Sequence, residues 1–137
     1  MNSRVTASCR CGAVRFKSPN PPVLQLFCHC KDCQDSTGGP FAKTAFFKAT
    51  QCAVSGSVTV RAFKAESGNR TTRESCTSCA SLMFDRSDGF PALIGVVADR
   101  ISAPFVFEPT CHVWTRSKQP DVTIPDNARQ YAQSLTP

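Results

Sequence analysis

The sequence lacks the features that would place the protein in or across a membrane. None of its segments approaches the ~20 consecutive apolar residues that a membrane-spanning helix needs. Its first residues, MNSRVTASCRCG, contain no apolar stretch of the kind found in a secretory signal peptide. We therefore expect a cytoplasmic protein with no membrane partner, folded as a single domain over residues 1–137.

The sequence also lacks a concentrated run of basic residues. Its formal net charge is +6, from 16 lysines and arginines against 10 aspartates and glutamates. The basic residues are scattered, and the chain has no run of about 5–8 of them, as a polybasic nucleic-acid-binding segment would have. Cysteines ionised by a bound metal would lower the positive charge further. This pattern argues against nucleic acid as a partner and suits small anionic ligands.

Cysteine, by contrast, is abundant. The chain has nine cysteines, and seven of them fall into three clusters. The clusters are C-x-C at Cys9 and Cys11, CHCKDC with Cys28, Cys30 and Cys33, and C-x₂-C at Cys76 and Cys79. Thiols stay reduced in the cytoplasm, so cysteines at this density are typical of metal ligands rather than of a disulfide framework. Zinc is the ion that closely spaced thiolates favour.

Short segments with strand-like patterns dominate the rest of the sequence. A hairpin is predicted by RVTASC and AVRF, and further strands by VLQLF, KTAFFK, ASLMFD and ALIGVVA. The alternation in VTVRAFKA predicts a half-buried strand. QDSTGGPF predicts a loop, while Pro125 and Asp126 predict a helix that runs to about Leu135. The expected fold is mainly β, with many short strands and at most one or two short helices.

The cysteines nearest the start of the chain lie at the tip of the predicted hairpin, in a C-x-C-G sequence typical of a metal-binding turn. Gly12 permits the positive φ that lets backbone amides face the sulfur atoms. Combined with Cys76 and Cys79, Cys9 and Cys11 give four thiolates, the ligand set of structural zinc. The alternatives are four ordinary buried thiols or a redox-active C-x₂-C, although the strand–helix context of a thioredoxin-like motif is missing.

Cys28, Cys30 and Cys33 form a second candidate zinc site, with three protein ligands. Catalytic zinc sites commonly have three protein ligands and keep the fourth position for water or substrate. Three thiolates leave the ion with a net charge near −1, so we expect this site to favour a soft ligand such as a thiol sulfur. These three cysteines are the predicted catalytic residues.

The protein could also supply the fourth ligand itself. His29 lies between two of the cysteines, but in an extended C-x-C its side chain points the opposite way. Cys111 and His112 are long-range candidates, and Cys52 is predicted to be buried packing. If one of these residues completes the shell, both zinc sites are structural.

The order and spacing of the three clusters resemble those of the glutathione-dependent formaldehyde-activating enzyme family, which includes the centromere protein V-like domains. The similarity extends from Cys9 to about Lys118. It includes the GG pair at 38–39, ADRI at 98–101 and the stretch PTCHVWTRSKQP. The chain departs from the family pattern around the C-x₂-C, where Ser75 replaces the usual aromatic residue and Ala80 the usual glycine. It departs again at 120–121, where Pro-Asp replaces a common tryptophan.

The resemblance implies a zinc-stabilised fold of coiled antiparallel sheets, called a β-tent. It implies two zinc ions per chain, one structural and one with an open fourth position. The respective ligands would be Cys9, Cys11, Cys76 and Cys79, and Cys28, Cys30 and Cys33. It also implies a carbon–sulfur lyase reaction in which formaldehyde and glutathione form S-(hydroxymethyl)glutathione.

Residues that would bind the thiol substrate can be suggested as well. Lys31, Lys43 or Arg116 could pair with the carboxylates of glutathione, although each is otherwise an ordinary solvated charge. Gly38 and Gly39 could offer backbone amides, although a simple turn explains them equally well. Of these, Lys31, Gly38 and Gly39 are the predicted ligand-binding residues.

The predicted function is therefore that of a zinc-dependent lyase-like enzyme that resembles S-(hydroxymethyl)glutathione synthase. It would join a thiol, glutathione or a similar compound, to formaldehyde or a related small aldehyde. The alternative is a non-catalytic zinc-stabilised β-domain that binds glutathione, protein or nucleic acid. A third hypothesis, a thiol redox or metal-carrier protein, fits the number of cysteines but not their division into a set of four and a set of three.

Overall fold

The computed structural model describes residues 4–135, so residues 1–3 and 136–137 of the expected domain lie outside the described residues. The strands are β1 (Val5–Ser8), β2 (Arg15–Ser18), β3 (Leu24–Cys28), β4 (Ala42–Lys48), β5 (Ala53–Ser55), β6 (Val58–Lys64), β7 (Arg70–Cys76), β8 (Leu82–Ser87), β9 (Leu93–Val97) and β10 (Cys111–Val113). One α-helix, α1, spans Lys31–Thr37, and 3₁₀ helices span Ala49–Gln51, Ala98–Arg100 and Thr115–Ser117. In this part of the chain, no helix combines the length and the apolar character needed to cross a membrane. The prediction of a mainly β fold is confirmed.

Seven of the strands form one large sheet, in the order β10-β3-β4-β9-β8-β7-β6. Neighbouring strands in it run antiparallel, except that β10 and β3 are parallel. The other three strands form a small antiparallel sheet in the order β1-β2-β5. The hairpin predicted at the first cysteine pair is therefore present as β1 and β2.

The main hydrophobic core lies between the small sheet and one face of the large sheet. The Phe16 ring of β2 meets the rings of Phe47 and Phe84 at centroid distances of 5.0 and 6.0 Å. All three side chains are almost completely buried, and burying a phenylalanine contributes roughly 1.5–3 kcal/mol. Cys9 and Cys76 belong to the same buried cluster. The first candidate metal cluster therefore lies where the two sheets meet.

The opposite face of the large sheet carries a second buried cluster. It consists of Leu26, Cys30, Cys33, Ala42, Cys111, Val113 and Trp114. Strand alternation explains why β4 serves both clusters: Phe47 packs in the main core and Phe46 against the second one. This second face holds the CHCKDC segment against the sheet.

Two predictions about helices were wrong. The predicted loop 34–41 begins inside α1, because Cys30 caps the start of the helix and Gly38, at φ 71°, ends it. The predicted helix from Asp126 to Leu135 does not form, because these residues run beside β10 instead. The backbone N–H of Tyr131 donates to the backbone carbonyl of His112 at 2.9 Å.

The prediction of a half-buried β6 was also wrong. This strand lies at the outer edge of the large sheet, and most of its residues are exposed. Val60 is 56% exposed. Alternation marks one face of a strand, but it cannot show whether a second layer covers that face.

Candidate metal centres

Four cysteines meet at the junction of the two sheets. Cys9 and Cys11 come from the turn between β1 and β2, and Cys76 and Cys79 from the end of β7 and the turn that follows it. Their sulfur atoms all lie within 4.8 Å of one another. The Cys11 sulfur is 3.6 Å from that of Cys9 and 3.7 Å from that of Cys76. In a zinc tetrahedron with Zn–S bonds of ~2.3 Å the sulfurs would be roughly 3.8 Å apart, so these residues fit the ion.

Backbone and side-chain donors face the sulfurs of this cluster. Gly12, at φ 80°, turns the chain so that the Val14 N–H donates to the Cys9 sulfur at 3.2 Å, and this hydrogen bond lowers the pKa of Cys9. The Ser81 hydroxyl, 3.1 Å from the Cys79 sulfur, lowers the pKa of Cys79 to about 5. Both effects favour thiolates, the form that binds metal.

Ala80, which stands where family members usually have glycine, adopts a left-handed conformation with φ 63°. Its N–H donates to the Cys76 carbonyl at 2.9 Å, which closes the C-x₂-C turn. A residue with a Cβ is strained in this region. The chain therefore keeps the turn geometry without the residue type that favours it.

Cys28, Cys30 and Cys33 form the second cluster, with sulfurs that also lie within 4.8 Å of one another. Cys28 ends β3, Cys30 is the N-cap of α1, and Cys33 lies in the first turn of that helix. The Cys33 N–H donates to the Cys30 sulfur at 3.3 Å. A helix start thus folds the CHCKDC sequence so that three sulfurs converge.

The thiols of this cluster influence each other's ionisation. Hydrogen bonds from Cys28 and Cys33 lower the pKa of Cys30 to about 3. Those same interactions raise the pKa of Cys28 well above its usual value. For Cys33, a hydrogen bond to Cys28 lowers the pKa, but the bond to Cys30 together with burial raises it to about 12. Three thiolates this close need a compensating cation, which is what a metal ion provides.

The second cluster forms part of the wall of a cavity of about 110 Å³, on the face of the large sheet that carries the second buried cluster. Most of the wall is apolar, including Leu26, Phe46, Val113 and Trp114. Its polar part includes Arg73, whose guanidinium lies 3.7 Å from the Cys33 sulfur. The cluster is therefore accessible to a small ligand from within the cavity.

The structure separates the proposed fourth ligands from the cysteines. Among residues 4–135, no further histidine, cysteine, aspartate or glutamate joins the group of three sulfurs. His29 is fully buried and its Nε2 lies 2.9 Å from Nδ1 of His112. Burial lowers the pKa of His29 to about 4. Cys111 packs in the second buried cluster and Cys52 against the main core.

The residues predicted to bind the thiol substrate lie outside the cavity wall. The N–H of Gly38 donates to the Gln34 carbonyl, and that of Gly39 to the Thr37 hydroxyl. Lys31 is exposed at the start of α1. Their role as ligand contacts stays a prediction.

The other two basic candidates have partners. Lys43 pairs with Asp99 at 2.8 Å. Arg116 lies with its guanidinium 5.0 Å from the Trp114 ring centroid and pairs with Glu66 at 3.4 Å. Since Trp114 and Glu66 line the cavity, Arg116 is the basic candidate that stands beside it.

Sequence reasoning missed the polar residues of the cavity wall, among them Glu66, Arg73 and Asp85. Arg73 and Asp85 are cross-strand partners on β7 and β8. Glu66 lies in the turn between β6 and β7 and accepts hydrogen bonds from the Lys31 N–H and the Ser117 hydroxyl. No motif marks them, because they meet the cysteines only through strand register.

Comparison with known proteins agrees with the family resemblance seen in the sequence. The family described as glutathione-dependent formaldehyde-activating enzyme matches residues 4–117. A Halomonas elongata protein, provisionally named as a glutathione-dependent formaldehyde-activating enzyme, is 31% identical over 102 residues. That match covers 70% of this chain and 64% of the relative, so the chain spans less than two thirds of the relative's length.

A solved structure shares the fold. The crystal structure of a Rhodobacter sphaeroides protein superposes with a TM-score of 0.54 at 16% identity and covers 92% of this chain and 98% of that one. At this identity the likeness concerns the fold alone. The family match over residues 4–117 decides the assignment: this chain belongs to the glutathione-dependent formaldehyde-activating enzyme family.

Proposed function

We propose that this protein is a zinc-dependent enzyme of the carbon–sulfur lyase class, active as a single domain in the cytoplasm. It would join a thiol, glutathione or a close analogue, to formaldehyde or a similar small aldehyde. One observation carries the proposal: three convergent thiols form part of a cavity wall, and within residues 4–135 no fourth protein ligand reaches them. Such a site has room for a ligand from outside the protein.

The donor sets support two zinc ions with different roles. Cys9, Cys11, Cys76 and Cys79 would hold a structural ion between the sheets. The other three clustered cysteines would hold the second ion and, as its ligands, form the catalytic group. Zinc bound there would supply a lowered pKa for a thiol that binds beside it and would fix the position of its sulfur.

The chain's own residues would then arrange the second reactant. The apolar wall, with Phe46, Val113 and Trp114, limits the water around the reacting sulfur and favours a small, neutral aldehyde. The sulfur attacks the carbonyl carbon, a carbon–sulfur bond forms, and the carbonyl oxygen takes up the proton that the thiol lost. The reverse reaction splits the same bond.

The size of the cavity limits how glutathione can bind. A volume of about 110 Å³ is below the ~300 Å³ at which pockets for drug-sized ligands begin. The thiol end would enter the cavity, while the two carboxylates stay at its mouth. Arg116 contacts Trp114 and Glu66 of the cavity wall, and Lys31, Gly38 and Gly39 are the further contacts that we propose.

Two measurements on the zinc-loaded protein test the proposal: its zinc content, and the rate at which it interconverts glutathione and the hydroxymethyl adduct. Exchange NMR with ¹³C-formaldehyde measures how fast glutathione and its hydroxymethyl adduct interconvert, relative to the uncatalysed reaction. We expect the Cys30→Ala variant to bind one zinc ion fewer than the wild type and to interconvert the two compounds no faster than the uncatalysed reaction. Cys111→Ala is the matched control, because Cys111 is equally buried in the same cluster but outside the group of three sulfurs.

Two results would refute the proposal. The first is a wild-type rate equal to the uncatalysed one together with no heat of glutathione binding at millimolar concentration. The second is a Cys30→Ala variant that binds glutathione and exchanges as fast as the Cys111→Ala control.

A further inference from the structure

Arg73, which is buried, and Asp85, which is half-buried, form a polar pair beside the three clustered cysteines. They face each other on β7 and β8, and both line the cavity. Arg73 is 7% exposed. Its guanidinium makes two long contacts, 3.6 Å from Nη1 to Asp85 Oδ2 and 3.7 Å from Nη2 to the Cys33 sulfur. Neither residue is a member of a candidate metal cluster.

The two residues have unused hydrogen-bonding capacity. Arg73 Nε and Asp85 Oδ1 are both buried, and neither has a hydrogen-bond partner in the described residues. Burial raises the pKa of Asp85 even though the Arg73 charge lowers it, so the pairing only partly compensates for the loss of water. Leaving a buried donor or acceptor without a partner costs about 1–3 kcal/mol. The contacts within the fold do not explain why these two atoms lack hydrogen-bond partners, so another reason for them is needed.

A neighbouring pair shows what a fold-stabilising contact looks like on the same two strands. Arg86 of β8 donates from Nε to Glu74 of β7 at 2.8 Å, and Arg86 is 40% exposed. The interacting atoms of that pair are close together, and the arginine side chain is in contact with solvent. In the Arg73–Asp85 pair the closest atoms are 3.6 Å apart, and the arginine is buried while the aspartate side chain is 24% exposed. A long ion pair around a buried arginine contributes little to stability.

A free N–H donor and a free carboxylate acceptor on two paired residues complement one hydroxyl group, which accepts one hydrogen bond and donates another. The proposed reaction makes such a group when the aldehyde oxygen becomes the hydroxyl of the hydroxymethyl thioether. We propose that Arg73 and Asp85 form the subsite that binds this oxygen, an inference that rests on the proposed function.

The subsite would act as the carbon–sulfur bond forms. The sulfur electron pair bonds to the carbonyl carbon, and the π electrons of the carbonyl move to its oxygen. Arg73 donates to that oxygen as its negative charge grows. The oxygen takes the proton released by the thiol and then donates it in a hydrogen bond to Asp85, so that no further reactant is needed.

The experiment is calorimetric titration of the zinc-loaded protein with two isosteric thiols, 2-mercaptoethanol and propane-1-thiol. They differ only in a hydroxyl and a methyl group, and the first carries its hydroxyl one carbon farther from the sulfur than the hydroxymethyl adduct does. An apolar cavity by itself favours propane-1-thiol, because its methyl group loses no hydrogen bonds to water. With the proposed subsite, we expect 2-mercaptoethanol to bind about 10-fold more tightly or better.

Variants test which residues cause the preference. Asp85→Asn and Arg73→Lys should each reduce it to about 3-fold or less, since the first leaves only one neutral accepting oxygen and the second removes the Nε–H donor. Glu74→Gln is the matched control on the same strand and should keep the full preference. The double variant Arg73→Met/Asp85→Leu leaves no buried charge without a partner, so it should stay folded and favour propane-1-thiol.

The outcomes separate this inference from the function on which it rests. Equal binding of both thiols by the wild type, or the same preference in Asp85→Asn as in Glu74→Gln, overturns the subsite and leaves the thiol site intact. If neither thiol binds, the proposed function is overturned and the subsite with it. A preference lost only in the Arg73 and Asp85 variants supports the subsite.

Discussion

Glu66 joins three segments around the cavity, and its replacement by glutamine should loosen all of them. Its carboxylate accepts from the Ser117 hydroxyl at 2.6 Å and from the Lys31 N–H at 3.1 Å. It also lies 3.4 Å from the Arg116 guanidinium. The turn between β6 and β7 is thereby fixed to α1, which carries Cys33, and to the 3₁₀ helix at 115–117.

The contacts give the size of the effect. The Glu66 side chain is 18% exposed, and a hydrogen bond to a charged group contributes about 1.5–3 kcal/mol. In Glu66→Gln one oxygen still accepts, while the amide faces a donor, so about one such bond is lost. The pair with Arg116, which is 46% exposed, adds no more than about 0.5 kcal/mol. We expect a loss of about 2 kcal/mol, or roughly 6 °C in melting temperature.

The loss should depend on pH. Burial raises the pKa of Glu66, but the hydrogen bonds from Ser117 and Lys31 outweigh it and hold the pKa below its usual value. A lowered carboxylate pKa stabilises the fold above the unfolded-state value of about 4.3, and this stability is lost as the pH falls through the folded-state pKa. The difference between wild type and Glu66→Gln should therefore be full at pH 7 and shrink below about pH 4.3.

Urea unfolding at pH 7 and pH 4 measures this difference, with excess zinc at both pH values because protons compete with the ion for the thiolates. Glu108→Gln is the control, because Glu108 is exposed, and it should change stability by less than about 0.5 kcal/mol. In a double-mutant cycle, Glu66→Gln and Ser117→Ala should be coupled by about 1 kcal/mol. Equal stability of Glu66→Gln and wild type at pH 7, or a loss that is the same at both pH values, would refute the reasoning.

Three further substitutions have expected effects on stability. Ala80→Gly should stabilise the fold by about 0.5–1 kcal/mol, because glycine adopts the left-handed conformation without strain; a lower melting temperature would contradict this. Gly95→Ala would place a Cβ 2.9 Å from the Thr44 methyl group and 3.0 Å from the Phe46 ring, so we expect a loss of about 1–3 kcal/mol in urea unfolding and a smaller cavity. An unchanged midpoint would show that the ring moves freely. His112→Phe removes the partner of the buried His29 Nε2 and should cost about 1–3 kcal/mol. His112→Asn, which keeps a polar group, should cost less, and the reverse order would count against the hydrogen bond.

The grouping of the cysteines could be predicted from the sequence because ligand spacing is local. Six residues hold Cys28, Cys30 and Cys33, and a four-ligand set follows when two separate pairs are left over. The direction of His29 could also be predicted, since neighbouring side chains of an extended segment point to opposite sides. In the structure its ring meets His112, on the far side from the sulfurs.

The polar part of the cavity could not be predicted in this way. Arg73 and Asp85 are ordinary charges in the sequence, and they meet only because β7 and β8 pair in one register, with an irregularity at Glu74 and Ser75. A shift of one strand by one residue would place the two side chains on opposite faces of the sheet. The start of α1 was missed because cysteine is not among the usual capping residues, although its sulfur accepts the same backbone hydrogen bond.

The parallel pairing of β10 with β3 sets an order of assembly during synthesis. It places residues 111–113 beside 26–28, so Val113 and Trp114 reach the cavity about 80 residues after Cys33. At ~5–20 residues per second the ribosome needs roughly 4 to 16 s for that interval. The nascent chain therefore presents its three-thiol cluster to the cell before that wall exists. Early metal capture would protect those thiols from oxidation, and β10 would then close over a site that is already loaded.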